Sequence, residues 1–466
     1  MSKREKFKRL FRFINTAAII GVLTAVFAYM WYTNFAENEE LLIKVFFRRG
    51  NYALVALYAV AMLLFYRAFG AHEVGYMRMM ESAYTQVLSV LCANAFTYLQ
   101  LCLIGRWKFL SNIRPILLMT VVDLVLVILW AVITRLAYTK IYPPRKILVV
   151  YGKYNPKHVI EKMASRQDKY IIYDAINIDQ GMETVKSRIE TCGNVLLMDL
   201  PAEERNQLLK YCFRKNIRCY CAPKISDIML RRAEEINLFD TTLLLFRNAG
   251  LSAEQQFMKR AFDVVFSLIF LIAASPFMLI IAIAIKACDG GPVFFTQDRL
   301  TKDGKVFKLY KFRSMYVNRE ESEYCLTREK DKRVTPVGKI IRNIHFDELP
   351  QIFNILKGDM SVVGPRPECP QLAEEYRQIV PEFDFRLKMK AGLTGYAQVY
   401  GKYNTTPLDK LKLDMVYIEK YSFWLDLKLI LLTVKILFQK ENTEGIKDWQ
   451  TTAATAENLE KIGKMK

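Results

Sequence analysis

Histidine is scarce in this chain, with three residues among 466, and the nine cysteines are scattered along its length. Cys219 and Cys221 are separated by one residue, a spacing that no common zinc site uses. Cys92 and Cys102 lie inside apolar runs. These features exclude a disulfide framework and a metal–thiolate site, and they indicate buried, reduced thiols.

Acidic residues are also few relative to basic ones, 47 against 67, which gives a formal net charge of +20 and a pI near 9.4. Such an excess predicts an acidic partner: nucleic acid, anionic lipid or a phosphorylated substrate. The composition is 52% hydrophobic and the mean hydropathy is slightly positive, which is too apolar for an ordinary soluble enzyme. Long apolar runs in the first third of the chain argue against nucleic acid as the partner.

Four apolar runs predict a four-helix membrane domain over residues 1–140. The first run, residues 13–31, follows a basic N-terminus and is too long for the core of a cleaved signal peptide. With four spans, both flanks lie on one side of the membrane, and the basic N-terminus places that side in the cytoplasm. Asp123 lies inside the fourth run, where we favour a polar contact between helices over a proton path. The other three runs cover residues 52–66, 83–104 and 116–136.

Residues 141–250 predict a Rossmann-like α/β module. Three apolar segments read as buried strands, residues 146–152, 194–200 and 217–222, and residues 202–214 have helical spacing with one charged face. Strands that alternate with helices indicate a parallel, doubly wound sheet. The first strand leads into a turn without the G-x-G-x-x-G pattern that brings backbone close to a pyrophosphate. We therefore expect a structural or regulatory module and no dinucleotide site.

A fifth apolar run, residues 264–285, carries no charge and is long enough to span a membrane. A span here would place the rest of the chain outside the cell, away from nucleotides. Ser275 and Pro276 lie near its centre, and proline removes one backbone donor and leaves the Ile272 carbonyl without its partner. The run therefore fits either a kinked span or a re-entrant hairpin, in which a helix break at Ser275 and Pro276 returns the chain to the same face.

The residues after this run include an acidic pair, Asp347 and Glu348, followed by Pro350 and later by Gly358. This order predicts a helix that Asp347 caps and that Gly358 ends. A carboxylate beside free backbone N–H groups stays anionic and can attack phosphorus. Glu348 is placed to bind a hard cation such as Mg²⁺. Each motif taken singly is more often structural, since an Asp-Glu pair usually only caps a helix.

Four basic residues complete this predicted site, because their charges can neutralise a diphosphate and arginine can bind its oxygens in pairs. They are Lys311, Arg313, Arg342 and Arg366.

Residues from about 259 to 440 resemble the bacterial sugar transferase family, the monotopic phosphoglycosyl transferases. The resemblance rests on six stretches taken together, and the preceding membrane helices and α/β module are similar to the large-form members. The stretches are Lys-Arg-x-Phe-Asp (from Lys259), Gly-Pro-Val-Phe-Phe (Gly291), Lys-Phe-Arg-Ser-Met (Lys311), Asp-Glu-Leu-Pro-Gln (Asp347), Val-Gly-Pro-Arg-Pro (Val363) and Gly-Leu-Thr-Gly (Gly392).

The resemblance implies a mixed, mostly α-helical catalytic domain over residues 255–440, which faces the cytoplasm of a bacterial inner membrane and contains the re-entrant hairpin. It implies a two-step, Mg²⁺-dependent reaction in which Asp347 attacks a UDP-sugar, releases UMP and carries the phosphosugar to a polyprenyl phosphate. Glu348 would bind the metal, Lys311, Arg313 and Arg342 the phosphates, and Arg366 the nucleotide side. Membrane lipid is a further expected partner. The oligomeric state stays open, with a homodimer as the expectation from large-form members.

Residues 407–440 mix aromatic and basic side chains, which favours amphipathic helices at the membrane surface over a packed helix pair. The tail, residues 441–466, has no assignment. Two rival functions remain: a glycosyltransferase that releases UDP, and an inert membrane scaffold or sensor. A transporter is disfavoured because the chain lacks internal repeats and paired intramembrane charges.

Overall fold

The computed structural model describes residues 7–36, 48–75, 79–153, 155–231, 233–246, 250–316, 333–401 and 405–437. The predicted tail, residues 441–466, lies outside them. The chain divides into two compact units, Met1–Ala222 and Pro223–Lys466.

The first unit begins with four long apolar helices, which carry few charged residues and therefore suit a hydrocarbon environment. Each predicted run lies within one helix, and each helix extends beyond its run. Among the described residues, five helices are long and apolar enough to cross a membrane, these four and one in the second unit, which identifies a membrane protein. The four are α1 (Lys8–Asn34), α2 (Arg48–Ala68), α3 (Met79–Ile104) and α4 (Arg114–Ile141).

Asp123 lies at the centre of these helices and is fully buried. Asn94 of α3 donates a hydrogen bond from Nδ2 to Asp123 Oδ2 at 3.0 Å, and Tyr58 of α2 donates to the same oxygen at 3.4 Å. Tyr58 also donates to Asn94 Oδ1 at 2.9 Å. Buried polar groups are stable only when they are paired, so these bonds link three helices. The predicted polar contact between helices is confirmed.

An α/β domain completes the first unit. Its four parallel strands pair in the order β2–β1–β3–β4, with both faces covered by helices. Leu148 and Val150 face α6 and α7, whereas Ile147 and Val149 face α5, as alternation along a strand requires. The three predicted strands and the helix over 202–214 are present, and β2 was not predicted. The elements are β1 (Arg145–Tyr151), α5 (Lys157–Ala164), β2 (Tyr170–Asn177), α6 (Met182–Cys192), β3 (Asn194–Met198), α7 (Ala202–Arg214) and β4 (Arg218–Cys221).

The second unit starts earlier than the predicted module boundary at residue 250, because Ile228 packs against Val380, Phe383 and Leu411. Its helices outnumber its short strands. Before the acidic pair the elements are α8 (Ile225–Leu230), β5 (Glu234–Leu238), β6 (Thr241–Leu245), α9 (Ala253–Asp289), β7 (Phe294–Leu300), β8 (Val306–Phe312) and α10 (Pro336–Asn343). After it come α11 (Gln351–Lys357), β9 (Met360–Val363), α12 (Pro370–Ile379), β10 (Ala391–Thr394), α13 (Tyr396–Tyr400), α14 (Pro407–Lys420) and α15 (Phe423–Leu437).

Helix α9 contains the uncharged run, and it continues through Ser275 and Pro276 without the predicted break. The physical reason lies in the hydrogen bonds at the proline. The Ile272 carbonyl, which loses its usual partner, accepts a hydrogen bond from Ser275 Oγ at 2.9 Å. The hydroxyl satisfies the freed carbonyl as expected, and one continuous helix results where the sequence predicts two half-helices.

Buried polar contacts fix the first turns of α9 to the core of the second unit. Lys259 Nζ donates to Asp426 Oδ2 at 2.6 Å, and Tyr417 donates to Asp426 Oδ1 at 2.7 Å. Asp263 Oδ1 accepts hydrogen bonds from the Ser361 hydroxyl and the Val362 amide, both at 3.0 Å. The Lys-Arg-x-Phe-Asp stretch therefore holds the apolar helix in position.

The C-terminal helices correct the surface interpretation of residues 407–440. Tyr417 is fully buried and Tyr421 is 8% exposed, because both pack in the core with Ile418 and Leu429. Trp424 is exposed. Helix α14 is thus part of a packed helix pair, the alternative to an amphipathic surface helix. Residues 438–440 lie outside the described part of the chain.

Candidate active site

The β7–β8 ribbon places two basic residues on one face. Leu309 pairs with Gln297, and Phe307 pairs with Arg299. Residues two apart on a strand share a face, so Arg299 and Lys311 both lie on the side of Leu309. Phe307 and Leu309 are buried in the core, and this anchors the ribbon.

The acidic pair lies in a short 3-10 turn, Phe346–Glu348, just before α11. His345 precedes it in the left-handed conformation with φ 57°, which turns the chain sharply between α10 and the pair. The predicted cap is wrong. Pro350, not Asp347, is the N-cap residue of α11, without a side-chain bond, because the chain first makes this tight turn. Gly358 does end α11, with φ 97°.

Glu348 is the centre of a compact ion-pair cluster. Its Oε1 accepts a hydrogen bond from Lys311 Nζ at 2.9 Å and from Arg366 Nη2 at 3.2 Å. Its side chain is only 16% exposed. Burial alone would raise the pKa of Glu348, but the charges of Lys311 and Arg366 outweigh it and hold the pKa well below the ordinary value. Glu348 is therefore a carboxylate at neutral pH.

At Asp347 the effects that raise the pKa outweigh those that lower it, the opposite of Glu348. Burial raises the pKa of Asp347, and the neighbouring Glu348 carboxylate raises it further, while the charges of Lys311 and Arg342 act against both effects. A carboxylate with a raised pKa is a stronger base and a better nucleophile than an ordinary aspartate. The two adjacent acids are thus pushed apart in pKa, which is a pattern typical of catalytic pairs.

Three glycines allow the loops around this cluster to approach each other. A Cβ on Gly392 would lie 2.0 Å from the Gly364 backbone nitrogen, and one on Gly395 would lie 2.0 Å from the Gly364 carbonyl oxygen. No larger side chain fits where backbone meets backbone in this way. The Val-Gly-Pro-Arg-Pro and Gly-Leu-Thr-Gly stretches therefore cross at glycines, and this crossing sets the position of Arg366.

A buried charge network also supports the loop that contains Arg366. Arg386, 2% exposed, donates to the Arg366 carbonyl at 2.9 Å and from Nε to Asp414 Oδ2 at 2.8 Å. It also pairs with Glu368, which binds Lys410 as well. Burial by itself raises the pKa of Glu368, but Lys410 and Arg386 lower it to about 2. The network fixes the chain at and just after Arg366, the arginine that contacts Glu348.

The structure brings together most of the predicted site residues. Asp347, Glu348, Lys311 and Arg366 form one cluster, and the Arg342 charge acts on Asp347. Arg313 is the exception. It is 7% exposed, its Nε donates to the Pro292 carbonyl at 2.6 Å, and its guanidinium packs against Gly291. It holds the segment before β7 and does not line the cavity beside Glu348.

That cavity contains two polar residues that sequence reasoning had not assigned, Arg299 and Gln351. Arg299 is held by the Pro367 carbonyl at 3.1 Å and by Gln297 Oε1 at 2.6 Å. The signal was the Gln-x-Arg alternation, which places both side chains on one face of a strand. The cavity is lined by Arg299, Leu309, Lys311, Glu348, Gln351, Arg366, Pro367, Gly392 and Leu393.

Comparison with known proteins assigns this region. A model of the bacterial sugar transferase family matches residues 254–440. A glucose-1-phosphate transferase of Caulobacter vibrioides is 38% identical over 189 residues, which are 40% of this chain and 71% of that protein. The chain belongs to the bacterial sugar transferase family. The sugar transferase segment contains every residue of the cluster and of the cavity.

Longer relatives show the same likeness over part of their length. A UDP-glucose:undecaprenyl-phosphate glucose-1-phosphate transferase of Klebsiella pneumoniae is 42% identical over 213 residues, 45% of each chain. A UDP-N-acetylgalactosamine-undecaprenyl-phosphate N-acetylgalactosaminephosphotransferase of Aeromonas hydrophila is 36% identical over 239 residues, 51% of this chain and 56% of that protein. The chain thus spans about half the length of these longer relatives.

The acidic pair suits a magnesium ion that also contacts substrate phosphates. Mg²⁺ is usually held by one or two carboxylates plus phosphate oxygens and water, not by a cage of protein ligands. Among the described residues, no group of three or more His, Cys, Asp or Glu side chains converges on one point. Asp347 and the anionic Glu348 are adjacent carboxylates of the type that such an ion needs.

We expect Gly392→Ala to destabilise the sugar transferase segment by about 3 kcal/mol or more, because its Cβ would overlap backbone that cannot move independently. Thermal unfolding of the full chain in detergent measures the effect. Gly250→Ala is the matched control, since its Cβ would meet only the Lys388 carbonyl at 3.6 Å, an ordinary contact. Equal melting temperatures for the two variants would contradict the close crossing.

Proposed function

We propose that the chain transfers a hexose 1-phosphate from a UDP-sugar to undecaprenyl phosphate, giving an undecaprenyl-diphosphosugar and UMP. The observation that carries this proposal is the half-buried Asp347–Glu348 pair, with Lys311 and Arg366 on Glu348, inside the family-matched segment. The relatives named above act on UDP-sugars and undecaprenyl phosphate, which supports the same substrates here.

In the first step, the Asp347 carboxylate attacks the sugar-bearing phosphorus of the UDP-sugar. A new bond forms between Asp347 oxygen and phosphorus, the phosphoanhydride bond breaks, and UMP leaves with the bonding electrons. In the second step, an oxygen of undecaprenyl phosphate attacks the same phosphorus and releases the Asp347 carboxylate. Splitting one displacement into two through an acyl phosphate is the advantage of covalent catalysis.

The basic residues of the cavity would stabilise the charge that develops in both steps. Lys311 and Arg366 already contact Glu348, and Arg299 lines the same cavity. Fixed cations in a site shielded from water stabilise a phosphoryl transition state strongly. Arg342, whose charge acts on Asp347, would favour the anionic nucleophile.

Glu348 would hold Mg²⁺, with Asp347 beside it, and the ion would supply neutralising charge at the diphosphate. Lys311 and Arg366 keep Glu348 ionised, which is the form that a metal ion needs. The residues around the cavity would bind and orient the diphosphate and exclude water from it.

The donor sugar belongs to the class that the relatives use. Relatives are named as transferases of glucose, galactose or N-acetylgalactosamine phosphate. We propose glucose or galactose 1-phosphate as the transferred group, in the first step of repeat-unit assembly for a capsule or exopolysaccharide.

Membranes that contain the chain, incubated with Mg²⁺, undecaprenyl phosphate and a panel of UDP-sugars, test this function. We expect UMP release with one or two of the sugars, loss of release with EDTA, and recovery with added Mg²⁺. UDP in place of UMP would instead identify a glycosyltransferase that passes on the bare sugar. If no sugar of the panel led to release of UMP or UDP, an inert scaffold or sensor would be favoured.

The active site lies on the cytoplasmic side of a bacterial inner membrane only if α9 is re-entrant. The helix must then enter and leave the membrane at the same, cytoplasmic face. Both parts of α9 contact the catalytic core, through Asp263 near its start and through Met278 and Ile285 near its end. Because both parts of α9 contact one core, we favour a continuous helix that bends at Pro276 and returns to the same face over a straight span.

Cysteine labelling tests this topology. In a cysteine-free background, Glu254→Cys and Lys305→Cys place one exposed thiol on each side of α9. We expect a membrane-impermeant maleimide to label both from the cytoplasmic face of inverted vesicles. Labelling of the two positions from opposite faces would show that α9 spans the bilayer.

A further inference from the structure

Gln351 is the first residue of α11 and lines the cavity beside Glu348. It is only 3% exposed, whereas most glutamine side chains extend into water. Buried amides are normally hydrogen-bonded, because an unpaired donor or acceptor loses its hydration without compensation. Within the part of the chain that the structure describes, the side-chain amide of Gln351 forms no hydrogen bond. The bond that this buried amide needs must therefore come from a molecule in the cavity.

Asn354, one turn further along α11, shows how a buried amide of this helix is satisfied by protein. It accepts a hydrogen bond from the Tyr310 backbone amide at 2.9 Å and donates one to the Lys308 carbonyl at 2.8 Å. Residues three apart on a helix share a face, so Gln351 lies on the same side of α11. Asn354 thus binds strand β8, whereas Gln351 borders the cavity, where a substrate can reach it.

The charged side chains of the cavity are already held by the protein. Lys311 and Arg366 bind Glu348, and Arg299 donates to two oxygen atoms of the chain at 3.1 and 2.6 Å. These three cations suit the two phosphates of a nucleotide-sugar. Among the described residues that line the cavity, Gln351 is the one polar side chain without a protein partner.

The chemistry of the amide indicates which substrate group it would bind. A side-chain amide has a carbonyl oxygen that accepts hydrogen bonds and an NH₂ group that donates them. Phosphate oxygens only accept, so a phosphate would leave the carbonyl oxygen of Gln351 without a donor. A hydroxyl both donates and accepts, and it can satisfy either side of the amide. The amide therefore suits a sugar hydroxyl better than a phosphate.

The position of Gln351 indicates which sugar. Gln351 follows Glu348 by three residues, and Glu348 adjoins the nucleophile Asp347. In a UDP-sugar, the hexose is attached directly to the phosphorus that Asp347 attacks, whereas the ribose and the uracil lie beyond the other phosphate. We propose that Gln351 binds a hydroxyl of the transferred hexose and positions the sugar for the reaction. This inference rests on the proposed function, because it takes a UDP-hexose as the donor.

Binding measured without turnover tests this role. In an Asp347→Asn background, the full chain in detergent with Mg²⁺ is titrated calorimetrically with UDP-glucose, UDP-galactose and UDP. Gln351→Met removes the amide at nearly unchanged volume. Gln378→Met, at an exposed position of the same unit, is the matched control. Analogues of the tighter-binding UDP-hexose that each lack one hexose hydroxyl complete the series.

We expect Gln351→Met to weaken binding of the UDP-hexose about tenfold, as the loss of a neutral hydrogen bond does when a buried group is left unpaired. Binding of UDP, which has no hexose, should stay within about twofold and shows that the variant is folded. The control should bind both ligands within about twofold of the background. One analogue should bind the Gln351 chain about tenfold more weakly, with no further loss on Gln351→Met, since both changes remove the same contact.

Equal losses of UDP and UDP-hexose binding in Gln351→Met would mean that the amide serves the nucleotide or the phosphates, and would overturn the proposal. Analogues that all bind the Gln351 chain as tightly as the parent UDP-hexose would also overturn it, and this arm does not depend on the folding of the Gln351 variant. None of these titrations measures UMP release. A chain that binds the hexose through Gln351 but releases no UMP would contradict the proposed function alone.

Discussion

Replacing Asp347 by asparagine is expected to lower the rate of UMP release at least about a thousandfold, because the amide cannot form the bond to phosphorus. The structure also predicts the effect on stability. Burial raises the pKa of Asp347, so the ionised form costs folding free energy at neutral pH. Its contribution to stability falls as pH rises through the raised pKa. The neutral asparagine avoids this cost, and the melting temperature should stay equal or rise.

Asp303→Asn is the matched control for this prediction. Asp303 is an exposed carboxyl of the same segment with φ 58°, a conformation that asparagine tolerates well. Its variant should release UMP at the wild-type rate. An Asp347→Asn protein that turns over within about tenfold of wild type would exclude Asp347 as the nucleophile.

Replacing Arg386 by methionine is expected to destabilise the second unit by about 3–5 kcal/mol. The change removes the partner of two buried carboxylates, Asp414 and Glu368, and leaves charge without compensation. It also removes the donor to the Arg366 carbonyl. Thermal unfolding in detergent should show a fall in melting temperature of roughly 10 °C.

Arg377→Met provides the comparison, since Arg377 also pairs with two acids, Glu374 and Asp384, but lies at the surface. Exposed ion pairs contribute at most about 1 kcal/mol, so this variant should unfold within a few degrees of wild type. If both arginine variants lost the same small amount, the buried network would not hold the Arg366 loop.

Apolar patterning predicted the membrane part of the fold well. A long run of mostly apolar residues can cross lipid only as a helix, and each of the four runs lies within one of the helices α1 to α4. Strands β1 and β3 contain continuous apolar runs, as strands buried on both faces do. Strand β2 was missed because it alternates partly buried and exposed positions and contains Asp174, so its hydrophobic signal is weaker.

The residue types predicted which residues form the site better than they predicted how those residues are arranged. Asp347, Glu348, Lys311 and Arg366 converge as expected, because the opposite charges of Lys311 and Arg366 pair with Glu348. The cap at Asp347 failed because the left-handed His345 inserts a 3-10 turn, which residue spacing does not reveal. Arg313 looks like Lys311 in sequence, yet it points to the Pro292 carbonyl, and only tertiary packing distinguishes the two.

The surface interpretation of α14 failed for a related reason. Tyr417 and neighbouring lysines resemble an interfacial helix, but the hydroxyl of Tyr417 is buried against Asp426 and Lys259. A buried tyrosine hydroxyl needs a partner, and here the partners come from two other helices, α15 and α9. Amphipathic spacing alone does not indicate whether lipid or protein covers the apolar face.

Trapping the covalent intermediate tests the central claim most directly. The full chain in detergent is mixed with UDP-sugar and Mg²⁺ in the absence of undecaprenyl phosphate, quenched with acid, and examined by intact and peptide mass spectrometry. We predict a hexosyl-phosphate adduct on the peptide that contains Asp347, with UMP formed in an equal amount. Rapid turnover with acceptor but no adduct at Asp347, or UDP as the released nucleotide, would contradict the account.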